Sequence, residues 1–166
     1  MTSGHQAAAS LVEQFADASR RVETLFQLNA IGDAALPAVR AGLKHPDWHV
    51  RHWCAIFLDR GADAESLLAL VPLLHDPEPH VRLWAIHSIA CEHCRDEGCP
   101  IDVIPLLIER AENDPVTQVR KMAVTMLAES PRDPRIPPVL ERALAREQDR
   151  RLLLHAQRGL DKYSAA

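Results

Sequence analysis

The chain has 166 residues, 47% of them hydrophobic and 25% charged, with a formal net charge of −4. That composition belongs to a soluble globular domain and argues against disorder except at the ends. The acidic balance argues against a dedicated nucleic-acid binder, because phosphate contacts need a basic surface, and no run approaches the roughly 18 apolar residues that would span a bilayer.

Three Phe, three Trp and one Tyr leave the core to Ala and aliphatic side chains, which favours helices. From His5, the apolar positions Ala8, Leu11, Val12 and Phe15 follow helical spacing and predict a leading cap helix over about 5–17. The stretch Ala7 to Val12 lacks the basic flank and the length of a signal sequence. Asp17 and Ser19 offer capping oxygens at a break, and a second helix follows from Arg20 through Leu25, Leu28 and Ile31 to a stop at Gly32-Asp33. The next helix starts at Leu36-Pro37, with Pro37 in the first turn, where its missing N–H costs little.

From here the chain repeats itself. With Val50, Val81 and Val119 as position zero, position four is Cys54, Ala85 and Ala123, and position eight is Leu58, Ile89 and Leu127. These offsets share one helical face, and the small central residue lets a second helix approach closely. Each Val is followed by Arg (Arg51, Arg82, Arg120) and preceded by a turn: His45-Pro46-Asp47, Asp76-Pro77 or Asp114-Pro115. Weaker copies start at Arg20, with Thr24 and Leu28, and at Leu152, with Ala156 and Leu160. Second helices are expected over about 34–44, 64–75, 101–112 and 135–147. The units then run over about 18–45, 46–75, 76–113 and 114–147, with a closing helix over about 149–163. Each hairpin cannot bury its apolar face alone, so the units must stack.

The Asp-Pro turn, the Val-Arg pair with Ala at four and an aliphatic at eight, and the Gly-Asp before a Pro-containing second helix resemble HEAT repeats. The pattern is most similar to the short bacterial HEAT-like units also found in phycobilisome lyases, and it covers about residues 17–163. Ile31-Gly32-Asp33-Ala34-Ala35-Leu36-Pro37 and the stretch from Asp76 to Ala85 carry it most specifically. The resemblance implies an all-α, right-handed α-solenoid of stacked antiparallel helical hairpins, and a structural role for the repeated Arg.

Three of the four Cys lie in an insertion between Cys91 and Cys99 that lengthens the third unit. Cys91, Cys94 and Cys99, with His87 one helical turn before Cys91 or with His93, could supply a zinc site. The missing second Cys-x-x-Cys and the compactness of the stretch favour plain loop thiols instead. A redox pair is disfavoured by Glu92, Asp96 and Glu97 close by in sequence. Otherwise no cofactor is indicated. Four Cys in a core-forming chain suit a reducing compartment, so the expected location is cytoplasmic.

His80, Trp84, His87 and Cys91 form a stripe, with His49 and Trp53 equivalent one unit earlier; the packing view fills the space between first helices with these rings. Trp48 lies outside that register, at a helix start, where exposure is open to it. No Gly-rich phosphate loop or nucleophile turn is present, and no catalytic residue is assigned. The function expected is a non-catalytic scaffold or adaptor, in which Arg40, Lys44, Glu65, His75, Glu109, Arg110 and Arg142 line a concave row of second helices. Their mixed signs suit another protein better than a polyanion or a membrane, with the chain itself a monomer or weak homodimer. The alternative is a zinc-binding or cofactor-handling, lyase-like accessory factor using His87, Cys91, Cys94 and Cys99.

Overall fold

A computed structural model describes residues 2–91 and 101–164, and among these every regular element is a helix. α1 (Thr2–Glu13) runs into a 3₁₀ turn at Gln14–Ala16 and is followed by α2 (Arg21–Ile31), a 3₁₀ turn at Gly32–Ala35, and α3 (Leu36–Gly42). Then come α4 (Trp48–Gly61), α5 (Ala64–Leu70) with a 3₁₀ extension at Val71–His75, α6 (Pro79–Ala90), α7 (Ile104–Asn113), α8 (Thr117–Glu129), α9 (Ile136–Arg146) and α10 (Arg150–Ser164).

The helix ends follow from local chemistry. Asp47, Glu78 and Asp63 accept backbone N–H groups of the first turns of α4, α6 and α5, and Pro occupies the first turn of α3, α6, α7 and α9. Pro72 also explains why α5 is shorter than the periodicity of 64–75 predicts. It has no N–H to give the Leu68 carbonyl, so Val71 bonds that carbonyl in 3₁₀ fashion and the segment tightens. Gly32 closes α2 at a φ of 66°, a conformation that costs glycine nothing.

Two layers result. The first helices α4, α6, α8 and α10 pack in sequence, with α2 at the head against α4, while α1, α3, α5, α7 and α9 form the second layer. This is the all-α solenoid expected. The repeated core positions are its axis: Val50, Cys54 and Leu58, then Val81, Ala85 and Ile89, then Val119, Ala123 and Leu127 are buried, as are Thr24, Leu28, Leu152 and Ala156 in the terminal copies. Burying each of the large aliphatic members contributes about 1.5–3 kcal/mol. The Thr24 hydroxyl is buried without a hydrogen-bond partner, a cost the first copy bears for placing a hydroxyl at the small apolar position.

The arginines after each Val tie the turns together. Arg82 Nη1 donates to the carbonyls of Asp76 (2.8 Å) and Pro77 (3.2 Å) in its own turn, while Nε and Nη2 donate to the Asp114 carboxylate of the next turn at 2.7 and 2.9 Å. Arg51 does the same with His45 and Pro46 behind it and Asp76 ahead (2.7 and 2.8 Å). Arg120 repeats the motif with Asp114 and Pro115 behind and Glu147 ahead. The acids Asp76, Asp114 and Glu147 all stand five residues before position zero, and Asp76 and Asp114 also accept the N–H two residues on. The equivalent place in the second unit holds His45, whose Nδ1 accepts the Asp47 N–H at 3.0 Å and whose Nε2 reaches Glu13 at 3.2 Å. Arg21 keeps the backward bond, to Phe15 O at 2.9 Å, and the forward rung is missing.

Candidate functional site

The residues expected on the second-helix surface come from α3, α5, α7 and α9 and the turns after them. Arg40 on α3 reaches forward to α5, where it pairs with Asp63 (3.1 Å) and Glu65 (3.0 Å) and bonds the Ser66 hydroxyl. Arg142 on α9 reaches back to Glu112 on α7, with Nε at 2.8 Å. Lys44, Glu65, His75 and Arg142 are exposed and Glu109 is partly so. Arg110 is the exception. It is 8% exposed, and its guanidinium is held by Asp114 (3.2 Å), the Leu74 carbonyl (3.2 Å) and Glu109. It therefore belongs to the ladder of turns, where it adds a second cation to Asp114.

Burial alone would raise the Asp114 carboxyl, but the Arg82 and Val116 donors and the two guanidiniums together hold it below the usual carboxylate value. Glu147 is held low chiefly by the hydrogen bonds from Arg120, against burial, with Arg146 adding to the effect.

Grooves lie between the second helices. One, of about 430 Å³, is floored by Ala111, Val139 and Ala143 and edged by Glu112, Asn113, Arg142 and Arg146. Another, of about 370 Å³, is lined by Leu36, Pro37 and Arg40 of α3 and by Asp63 and its neighbours. Each has one of the expected arginines on its edge, already neutralised by a carboxylate of the adjacent unit. What such a surface offers a ligand is a pattern of mixed charges over a small-residue floor.

Of the four candidate zinc ligands, Cys94 and Cys99 lie outside the described residues. Cys91, just past the end of α6, is buried. His87 is part-buried on α6, with Nδ1 2.8 Å from Asp59 Oδ1 on α4, which leaves Nε2 as the free nitrogen. Among the described residues no three His, Cys, Asp or Glu side chains gather as a metal site would require. Cys54 is a different kind of thiol: fully buried at its core position, with its ionisation pushed up by that burial.

The rings on the first helices form a connected cluster. Trp48 stacks on His49 at 3.7 Å between centroids and on His80 at 5.6 Å, so Trp48 is part-buried rather than exposed. His52 sits at the centre, edge-on to Trp48, Trp53, His80 and Trp84 at 6.1–6.3 Å, with Nδ1 3.2 Å from the His80 carbonyl. Burial pushes the His52 imidazole below its ordinary value, with the neighbouring cationic groups acting in the same direction. Trp84 meets His87 at 5.3 Å and Trp53 stacks on Phe15 at 5.8 Å. His49, His80 and His87 each hold a carboxylate, of Asp47, Glu78 and Asp59. These rings satisfy one another and behave as packing between α4 and α6. The periodicity within one helix finds His49, Trp53, His80, Trp84 and His87 but misses His52, because its neighbours come from the following unit.

The family described as HEAT repeats matches residues 6–90 and, in a second alignment, residues 67–161, so the matches together take in nearly the whole chain. No curated protein matches it. No helix among the described residues is long and apolar enough to cross a membrane.

Proposed function

We propose that this chain, which belongs to the HEAT-repeat family, is a non-catalytic protein-binding scaffold or adaptor whose row of second helices forms a concave contact surface. HEAT repeats commonly serve as protein-interaction scaffolds. The observation that carries the reading is the groove between α7 and α9, in which an apolar floor of Ala111, Val139 and Ala143 is bordered by the Arg142–Glu112 pair. An apolar floor with a satisfied polar rim is how protein interfaces are built. Arg40, Lys44, Glu65, His75, Glu109 and Arg142 supply the polar contacts, and their mixed signs select a protein of complementary pattern. The test is affinity capture with the wild-type chain and with charge-reversed variants combining Lys44→Glu, Glu65→Lys and Arg142→Glu. Loss of the captured protein is expected, and retention of every partner by all variants removes the surface assignment.

A second reading, a zinc-binding or cofactor-handling accessory factor, draws support from one contact. His87 donates through Nδ1 to Asp59 and keeps Nε2 open, the arrangement that orients a metal-binding imidazole. Cys91, Cys94 and Cys99 complete the ligand set by spacing. Zinc analysis of untagged protein decides it: sub-stoichiometric metal, with melting unchanged by a chelator, rejects the site.

A further inference from the structure

We infer that the first-helix face carries a second docking surface, at the α6–α8–α10 end, which takes an acidic, apolar-anchored segment of a partner protein. The argument starts from the repeat register. Position two of one first helix lies beside positions minus one and three of the next. Between α4 and α6 these are His52 with His80 and Trp84, and the rings fill the space. Between α6 and α8 they are Leu83 with Gln118 and Met122, and between α8 and α10 they are Lys121 with Arg151 and His155. These side chains do not close the seam, and with Thr125 they line one continuous groove of about 340 Å³. Its floor is apolar, from Leu83 and Met122, and its far wall is cationic.

Many of the arginines elsewhere are already engaged. Arg51, Arg82, Arg110, Arg120, Arg135, Arg142 and Arg146 are each bound to a carboxylate. Among the described residues Arg151 and Arg158 on α10 pair with no acid, and Arg151, His155 and Arg158 share one face of that helix with Leu154, itself 48% exposed. Among the described residues, Asp149 sets a carboxylate beside this wall. Its Oδ1 accepts the Arg151 and Leu152 N–H groups, and its Oδ2 stands 3.8 Å from Lys121 Nζ. From residue 114 onward the chain has ten Lys and Arg against seven Asp and Glu, although the whole chain has 19 against 23. The C-terminal third, which supplies two of the groove's three helices, is thus net positive.

A free phosphate would use the cations and leave Leu83 and Met122 without a partner. Stacked bases would need open ring faces, and Trp48 and Trp53 upstream spend theirs on His49, His80 and Phe15. A segment alternating carboxylates with a Leu-sized side chain satisfies both the floor and the wall. The inference rests on the scaffold reading and adds a surface on the opposite layer.

Fluorescence anisotropy with a labelled short peptide of repeating Glu-Glu-Leu tests it, beside Glu-Glu-Ser and Lys-Lys-Leu peptides and a single-stranded oligodeoxynucleotide. The Glu-Glu-Leu peptide binds best, more weakly as salt rises, and Lys121→Glu with Arg151→Glu weakens it about tenfold. Arg142→Glu, on the other layer, leaves it unchanged, which separates failure of this groove from failure of the second-helix surface. Circular dichroism melting verifies folding, and Arg151→Gln alone, at an exposed position, serves if the double variant does not fold. Absence of peptide binding, binding indifferent to both variants, equal binding of Glu-Glu-Ser, or tighter binding of the oligonucleotide each overturns the inference.

Discussion

Arg82 and Asp114 stand 32 residues apart and meet through two parallel hydrogen bonds, with Arg82 8% and Asp114 0% exposed at the side chain. The same guanidinium grips the backbone of its own turn, so one side chain fixes the spacing between two successive units. Removing one partner of a buried pair leaves the other charge without compensation, at a cost of about 3–5 kcal/mol. Asp114→Ala strands Arg82, takes one of two carboxylates from Arg110 and deprives the Val116 N–H of its acceptor, so its urea midpoint falls by an amount in that range at unchanged slope. Glu147→Ala frees Arg120, which is 17% exposed and partly hydrated, and costs about 1.5–3 kcal/mol. Equal losses for the two variants contradict the weight given to burial.

The same carboxylates set the response to acid. Asp114 and Glu147 titrate below their ordinary values of 3.8 and 4.5 in the folded chain, so the unfolded chain takes up protons first as pH falls. Their stabilisation is present above the ordinary values and is lost as pH falls from them through the folded ones. His52 has the same sign from a different cause, since burial disfavours its charged form. Its contribution is present above 6.5 and declines as pH falls below that. Stability measured by urea titration therefore decreases in two stages, one starting below pH 6.5 and a steeper one below about pH 4.5. His52→Gln abolishes the first stage and keeps the second.

The repeat was legible because its signals are local. Val81, Ala85 and Ile89 lie on one helix and the Asp76-Pro77 turn adjoins it, so periodicity within fifteen residues identifies the unit, and stacking follows from its inability to bury itself. That Arg82 serves the stack was readable from its recurrence. That its carbonyl partners belong to its own turn was not. Arg110 shows where such reading ends. It sits on a helix among charged residues, Glu109 and Glu112, and its burial depends on the Leu74 carbonyl of the previous unit, which no pattern within α7 announces. The cover over Trp48 and His52 was not legible for the same reason, the covering rings being His80 and Trp84 from the next unit.

Cys54 supplies a test of core rigidity. It occupies the small central position between Val50 and Leu58, has no exposure, and has its ionisation pushed up by burial. The thiolate is the reactive form, so alkylation requires the unit to open. Pulsed iodoacetamide followed by peptide mass spectrometry should leave Cys54 unmodified in buffer and label it through the urea transition, with protection tracking global stability. Rapid labelling of Cys54 in buffer contradicts the close packing of α3 on α4.

Two glycines separate close approach from empty space. A Cβ placed on Gly159 of α10 would lie 2.6 Å from Leu140 Cδ1, 2.8 Å from Ala128 Cβ and 3.0 Å from Ala128 Cα. The last of these is backbone and cannot rotate away, so α10 must shift off α8, and Gly159→Ala costs about 1–3 kcal/mol through overpacking. Gly61, at the end of α4, would meet nothing within 4 Å, and its φ is not in the left-handed region. There Ala reduces the freedom of the unfolded chain without strain, and Gly61→Ala stabilises by about 0.4–1 kcal/mol. The two substitutions are chemically identical, so a shared sign in thermal melts would show that α10 does not seat on α8 and α9 as closely as Ala128 and Leu140 require. Opposite signs identify the closing helix as a packed member of the stack.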